Sequence, residues 1–249
     1  MDDQSLKITF LGSGDAFGSG GRLQPCVHFS GSRGSFLIDC GASALISLKR
    51  LSLHPDDIRA VFISHLHGDH FSGIPFILRE TQILSRRTAP LTIVGPPGLE
   101  DSVRIVMGTM FPGSWDLGFS FMLEFIEVEP LRPYEVEGVT ALFFPAVHSP
   151  SANPHSIRLE CRRKVIAYSG DTEWNPCLAE ASRGADLLIC ECFEYGRPVK
   201  RHLDYQTLLD KRHLLDARRI LLTHMNDSML ARAGSLEFEC AEDGMSLII

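Results

Sequence analysis

The stretch Ser64-His65-Leu66-His67-Gly68-Asp69-His70 gathers three imidazoles and a carboxylate. Four such groups cannot all be satisfied as buried core residues, because each would need its own hydrogen-bond partner. Imidazole nitrogens and carboxylate oxygens are, however, the natural donors to zinc, and also to manganese or iron. The i, i+2 spacing of His65 and His67 lets an extended segment aim both rings at one ion. Asp69 and His70 follow where the chain turns and can serve a second ion, with Gly68 expected to free the backbone for that turn. The bland alternative is an exposed histidine-rich turn.

Other segments argue against that alternative. Arg59–His65 and Arg219–His224 both run from a basic residue through an apolar strand and a hydroxyl to a histidine. Two further apolar runs, Leu142–His148 and Val165–Asp171, also end on metal-binding side chains. Four buried strands that each close on histidine or aspartate would present those groups along one edge of packed sheets. Two ions are therefore expected. His65, His67 and His148 are assigned to one and Asp69, His70 and His224 to the other. Asp171 is placed as the bridge, since a carboxylate has two oxygens to share.

Periodicity supplies the elements that must carry these groups. Lys7–Leu11 reads as a strand, followed by a Gly-rich loop from Gly12 to Gly21 that lacks the Gly-Lys-Ser/Thr ending of a phosphate-binding P-loop. Strands follow near Cys26–Ser30 and Ser35–Cys40, joined by a hairpin turn over Gly31–Gly34, then a helix over Ser43–Leu51 and a strand over Ala60–Ser64. A helix is predicted for Ile74–Leu84, a strand for Leu91–Val94 and a helix from Pro96 to Met107. Strands recur around Phe119–Val128, Val136–Phe144, Ser156–Cys161 and Val165–Ser169. Helices at Pro176–Ser182 and Tyr205–Leu215 precede strands at Leu187–Cys190 and Arg219–Thr223. Two short strands between Leu236 and Ile249 flank Glu242-Asp243-Gly244.

Composition narrows the class. The chain has 249 residues, 44% of them hydrophobic, enough for a sizeable core in a single domain over residues 1–249. A net charge of −7 argues against binding nucleic acid by bulk attraction. Among the small basic clusters, Lys200 and Arg201 sit close to a candidate catalytic residue and can meet an anionic substrate. The seven cysteines form no C-x-x-C pair. Cys190 and Cys192 flank Glu191, and their i, i+2 spacing on a strand would put both on one face as buried free thiols, in keeping with a reducing cytoplasm. No apolar run is long enough to span a membrane, and Met1-Asp2-Asp3 does not read as a targeting segment.

The histidine cluster resembles the H-x-H-x-D-H signature of the metallo-β-lactamase superfamily, and the resemblance extends from Leu11-Gly-Ser-Gly14 to the final strand. It implies an αβ/βα sandwich with two divalent metal ions, zinc by preference, at the edge of two sheets. Relatives often form homodimers, although the sequence offers no defined interface. Glu191 and His202 are similar in placement to an acid and a histidine that form a proton relay in tRNase Z and in the phosphodiesterase of the carbon–phosphorus lyase pathway. The expected catalytic set is therefore His202 and Glu191, with Asp69 doubling as a ligand.

Chemically, a water bridging two cations is acidified toward neutrality and can attack phosphorus. His202, oriented and kept cationic by Glu191, would protonate the departing oxygen. This points to hydrolysis of small or cyclic phosphodiesters. The alternatives are carboxylic ester or lactone hydrolysis on the same site and 3′-tRNA processing. Only residues 149–170 separate His148 from Asp171, too few for two strands and the long arm of tRNA-processing relatives. A non-catalytic metal scaffold is disfavoured by seven ligands without a cysteine. His155 and Trp174 can line the cleft or simply pack, while His28 and His213 read as structural or solvated.

Overall fold

A computed structural model of the chain describes residues 5–31 and 34–249. The middle of the hairpin turn expected at Gly31–Gly34 and the Met1–Asp3 opening lie outside the described residues.

Fourteen strands form two seven-stranded sheets among the described residues. One sheet holds β1 (Lys7–Gly12), β2 (Cys26–Gly31), β3 (Gly34–Ile38), β4 (Ile58–Phe62), β5 (Leu91–Gly95) and β6 (Leu123–Glu127). The other holds β7 (Pro133–Val136), β8 (Val139–Pro145), β9 (His155–Cys161), β10 (Lys164–Tyr168), β11 (Leu187–Glu191), β12 (Ile220–Thr223) and β13 (Glu239–Cys240), while the final strand β14 (Ser246–Ile248) returns to the first sheet beside β1. The two short C-terminal strands thus belong to different sheets, and the Glu242–Gly244 turn crosses between them.

Alternation of side chains explains the layering. Phe10, Phe29, Ile38 and Phe62 of the first sheet meet Phe143, Ile157, Ile166 and Ile189 of the second in a core between the sheets. On the outer face of the first sheet, Leu37, Val61 and Ile93 pack under α1 (Ala44–Arg50), α3 (Ile74–Glu80) and α4 (Leu99–Met110). On the outer face of the second, Ala167, Leu188, Cys190 and Leu222 pack under α5 (Pro176–Ser182), α6 (Tyr205–Lys211) and α7 (Asp227–Leu230). The one-turn α2 spans Gly68–Phe71. The result is the four-layer αβ/βα sandwich of the metallo-β-lactamase fold.

Some boundaries differ from expectation. The run expected as one strand over Val136–Phe144 is broken by Glu137 and Gly138, both at positive φ, which fold β7 back on β8 in a tight hairpin. The helix expected through Leu84 ends at Glu80 and continues as a wider π-turn over Thr81–Ser85. Cys190 and Cys192 do share one face and are buried without a disulfide. No described helix is long and apolar enough to cross a membrane.

Strand direction decides where chemistry can gather. β3, β4 and β5 run parallel, and β1 points the same way because it is separated from β3 by the antiparallel β2. In the second sheet β10, β11 and β12 are parallel, and β8 shares their direction through the antiparallel β9. The C-terminal ends of β8, β10, β11 and β12 therefore lie along one edge. His148, Asp171, Glu191 and His224 sit at or just beyond those ends.

Candidate metal centre

Each sheet delivers its part of the site. His65, His67, Asp69 and His70 follow β4, while His148, Asp171 and His224 follow β8, β10 and β12. Two tight groups form, one of His65, His67, His148 and Asp171, the other of Asp69, His70, Asp171 and His224. In the first, His67 Nδ1 stands 3.2 Å from His65 Nε2 and 3.0 Å from His148 Nε2. Asp171 Oδ2 is 3.7 Å from both His65 Nε2 and His148 Nε2.

In the second group, His70 Nε2 lies 3.1 Å from Asp69 Oδ2 and 3.4 Å from Asp171 Oδ1. His224 Nε2 is 3.4 Å from both of these carboxylates. Asp171 turns one oxygen to each group. Donor atoms held about 2.1 Å from a common centre at tetrahedral angles stand about 3.4 Å apart, so both groups fit a divalent ion. His70 Nε2 and Asp171 Oδ1 are also buried without a hydrogen-bond partner, although both face the second group. Leaving such atoms unpaired in the interior is costly unless something else engages them.

Electrostatics of the protein alone point the same way. Burial opposes charge on Asp171, yet His224, His70 and His65 hold its pKa well below the carboxylate range. Asp69 is likewise lowered, against burial, by His70 and His224. Burial also opposes charge on His70, but Asp69, Asp171 and Asp39 hold its pKa well above that of an ordinary histidine. Burial lowers His65, with neighbouring His70 adding to the effect. The ionised carboxylates thus demand nearby positive charge, which divalent cations would supply.

Residues without an obvious sequence signal hold these ligands. Asp39, fully buried beyond β3, has a left-handed φ of 54°. Its Oδ2 accepts from His70 Nδ1 at 2.6 Å and from Ser64 Oγ at 2.9 Å, and Ser64 Oγ also contacts His65 Nδ1 at 3.0 Å. One carboxylate thereby orients a histidine of each group. His148 Nδ1 donates to the Arg201 carbonyl at 2.7 Å. His224 is itself in the left-handed region, φ 56°, as is Arg201, φ 73°. Such backbone strain in non-glycine residues gathers where function over-determines position.

Two glycines beside the donor groups differ in how far the backbone requires them. Gly170 precedes the bridging position with φ 58°, and a Cβ there would lie 2.7 Å from the His155 carbonyl oxygen. Gly68 was expected to be needed for the turn after His67. It lies instead within α2, without a positive φ and with open space where a Cβ would be, so neither geometry nor crowding requires glycine there.

Beside the second group, Glu191 and His202 meet as expected, with His202 Nδ1 3.1 Å from Glu191 Oε2. Glu191 is also anchored by the Thr172 amide, which donates to its Oε1. The His202 ring stacks on Phe193 at 4.7 Å and lies 4.8 Å from His148 and 5.6 Å from His224. The expectation that Glu191 keeps His202 cationic needs correction. Burial lowers the His202 pKa, and burial together with Asp171 raises that of Glu191. Glu191 orients His202 without fixing its charge in the protein alone.

His155 and Trp174 stand apart from these groups. His155 is buried, donates from Nδ1 to the Asn153 carbonyl and turns its ring edge toward Phe143. Trp174 lines a separate surface recess of about 460 Å³ with Pro176 and Leu214. His28 is buried and His213 exposed.

The family model of the Anti-Pycsar protein Apyc1 matches residues 6–241. The chain belongs to that family. It is also 26% identical over 196 residues to a ribonuclease Z of Mycobacterium bovis, spanning 74% of this chain and 69% of the relative. Among solved structures, human tRNase Z, short form, superposes with a TM-score of 0.79 at 24% identity, covering 97% of this chain and 98% of that one. A diphosphatase of the PhnP family gives 0.77 at 19% identity, covering 98% and 97%. The family member is thus a metallo-hydrolase of the metallo-β-lactamase fold, close to ribonuclease Z.

Proposed function

We propose that the chain hydrolyses small or cyclic phosphodiesters. The observation that carries this reading is the Glu191–His202 pair set against a double donor group, with His202 Nδ1 bound to the buried Glu191 and the ring packed against Phe193, His148 and His224. Such a placement gives a leaving oxygen a proton donor, which phosphodiester cleavage needs and activated-acyl chemistry needs far less.

His65, His67 and His148 would hold one divalent ion, and Asp69, His70 and His224 the other, with Asp171 shared. The two cations, zinc by preference, would make water nucleophilic near neutral pH and neutralise phosphoryl oxygens. Asp39 and Ser64 keep the His70 and His65 rings aimed inward. Glu191 turns His202 so that its Nδ1 faces the carboxylate, leaving Nε2 as the atom that gives the proton. Negative charge brought by the diester favours the protonated imidazole, countering the burial that lowers it. The substrate is thus read as a small anion, handled by residues 1–249 as one domain in the cytoplasm, either alone or as a homodimer.

A hydrolysis screen on zinc- and manganese-loaded protein tests this, with phosphodiester, phosphomonoester, lactone and β-lactam probes. Turnover of bis(p-nitrophenyl) phosphate is expected. The His202→Ala variant should retain its metal and lose about 10²-fold in phosphodiester turnover. Lactone hydrolysis without diester cleavage would replace this reading.

The similarity to ribonuclease Z supports a second reading, 3′-tRNA processing. Against it, β9 and β10 occupy most of the chain between His148 and Asp171, and the net charge is −7. Cleavage of a tRNA precursor at a rate above that of small diesters would favour it.

A further inference from the structure

The Gly-rich loop after β1 leaves the same end of the sheet as the histidine cluster, and it is built as a rigid mount. Its base is clamped by Asp243, which accepts from the Ser13 amide, the Ser13 hydroxyl and the Leu23 amide. The Ser13 carbonyl accepts from the His224 amide and the Thr223 hydroxyl, both at 3.2 Å. Farther along, the Gly20 amide donates to Asp227 Oδ1 at 3.0 Å. The loop therefore stands on the His224 side of the ligand groups. Inside it, the buried Asp15 carboxylate accepts from the Phe17 and Ser19 amides and from the Ser19 hydroxyl.

All this order presents one side chain outward. Phe17, at the crest, is 84% exposed, and no ring or cation contact to it is found among the described residues. A large apolar ring held in water on a braced loop contributes nothing to the core. Across the ligand groups, beside His148, Val147 is also exposed. The His202 ring, stacked on Phe193, lies 4.8 Å from His148, which follows Val147, and 5.6 Å from His224, on whose side the loop stands.

We propose that Phe17 is a specificity-determining wall of the substrate site, stacking against a flat, ring-bearing ester group of the phosphodiester. This rests on the phosphodiesterase reading and deepens it: the substrate is a diester with an aromatic or heteroaromatic substituent rather than a small alkyl diester. The ring supplies a flat apolar face, the braced loop lowers the entropy cost of presenting it, and selectivity follows from area and stacking.

The test compares p-nitrophenyl phenyl phosphate with methyl p-nitrophenyl phosphate, which share a leaving group. Wild-type protein should favour the phenyl diester in kcat/KM, and Phe17→Ala should reduce that phenyl-to-methyl ratio about tenfold, mainly through KM. Phe17→Trp should keep the ratio. Its added indole should also respond in fluorescence to phenylphosphonate and not to methylphosphonate, a readout independent of turnover. An unchanged ratio in Phe17→Ala overturns the proposal, as does an unchanged ratio accompanied by loss of a dimer in sedimentation, which would make Phe17 a contact between copies. If wild-type protein cleaves neither diester, the phosphodiesterase reading fails. The phosphonate titration then decides separately whether Phe17 meets aromatic ligands.

Discussion

Asp39 accepts a hydrogen bond from His70 Nδ1 at 2.6 Å, and through Ser64 it reaches His65 in the other ligand group. Neither Asp39 nor Ser64 faces the place where ions would sit, yet together they fix two rings. Asp39→Asn removes the negative charge and keeps the shape. Metal affinity is expected to weaken by about 10- to 100-fold, measured by competition with a chromogenic chelator. Wild-type affinity in the variant would mean that the rings are held by packing alone.

If His202 donates a proton to the leaving group, the penalty for removing it depends on that group. The His202→Ala defect should deepen for an alkyl leaving group relative to p-nitrophenolate, which departs readily as an anion. A series of diesters of increasing leaving-group pKa checks this. Equal losses across the series would assign His202 to binding.

Chelation should destabilise the fold as well as silence the site. An ion present at about 1,000 times its Kd adds roughly 4 kcal/mol to folding, and in a chain of this size each kcal/mol corresponds to roughly 2–4 °C. Thermal midpoints with and without EDTA should therefore differ by roughly 8 °C or more. Coincident melting curves would argue that neither group binds tightly.

His28 predicts part of the acid sensitivity. Burial, with Lys7 nearby, lowers its pKa from 6.5 to about 4. The unfolded chain therefore takes up a proton that the folded chain refuses. Stability is full above pH 6.5, falls as the pH drops toward 4, and changes no further from this group below that. The span is on the order of 3 kcal/mol. His28→Leu should remove that slope, read as urea midpoints between pH 4 and 7 relative to wild type. Parallel slopes would place the acid sensitivity elsewhere.

Much of the candidate site was legible because its signals are local. His65, His67, Asp69 and His70 crowd one segment, and His148, Asp171 and His224 each end an apolar run. The burial of Cys190 and Cys192 on one face likewise followed from period two. What escaped was non-local or conformational. Asp39 is one aspartate after a strand, and nothing in the sequence marks its left-handed φ or its distance from His70. Asp243 sits in an ordinary turn, yet it clamps Ser13 and Leu23, more than two hundred residues away. The β7–β8 hairpin was read as one strand because Glu137-Gly138 is a weaker turn signal than Asn-Gly. The charge of His202 depends on burial, which spacing does not reveal.

The origin of the ligands in both sheets gives the interior between them a second task. Phe62 and Ile38 on one side and Phe143, Ile166 and Tyr168 on the other set how far β4 stands from β8 and β10. They work as spacers that gauge how far His65, His67, Asp69 and His70 stand from His148, Asp171 and His224, so they set the reach across each donor group. A methylene lost or added there, far from any reacting atom, would be transmitted to the edge as a change in reach, while the surrounding loops remain free to vary with the substrate.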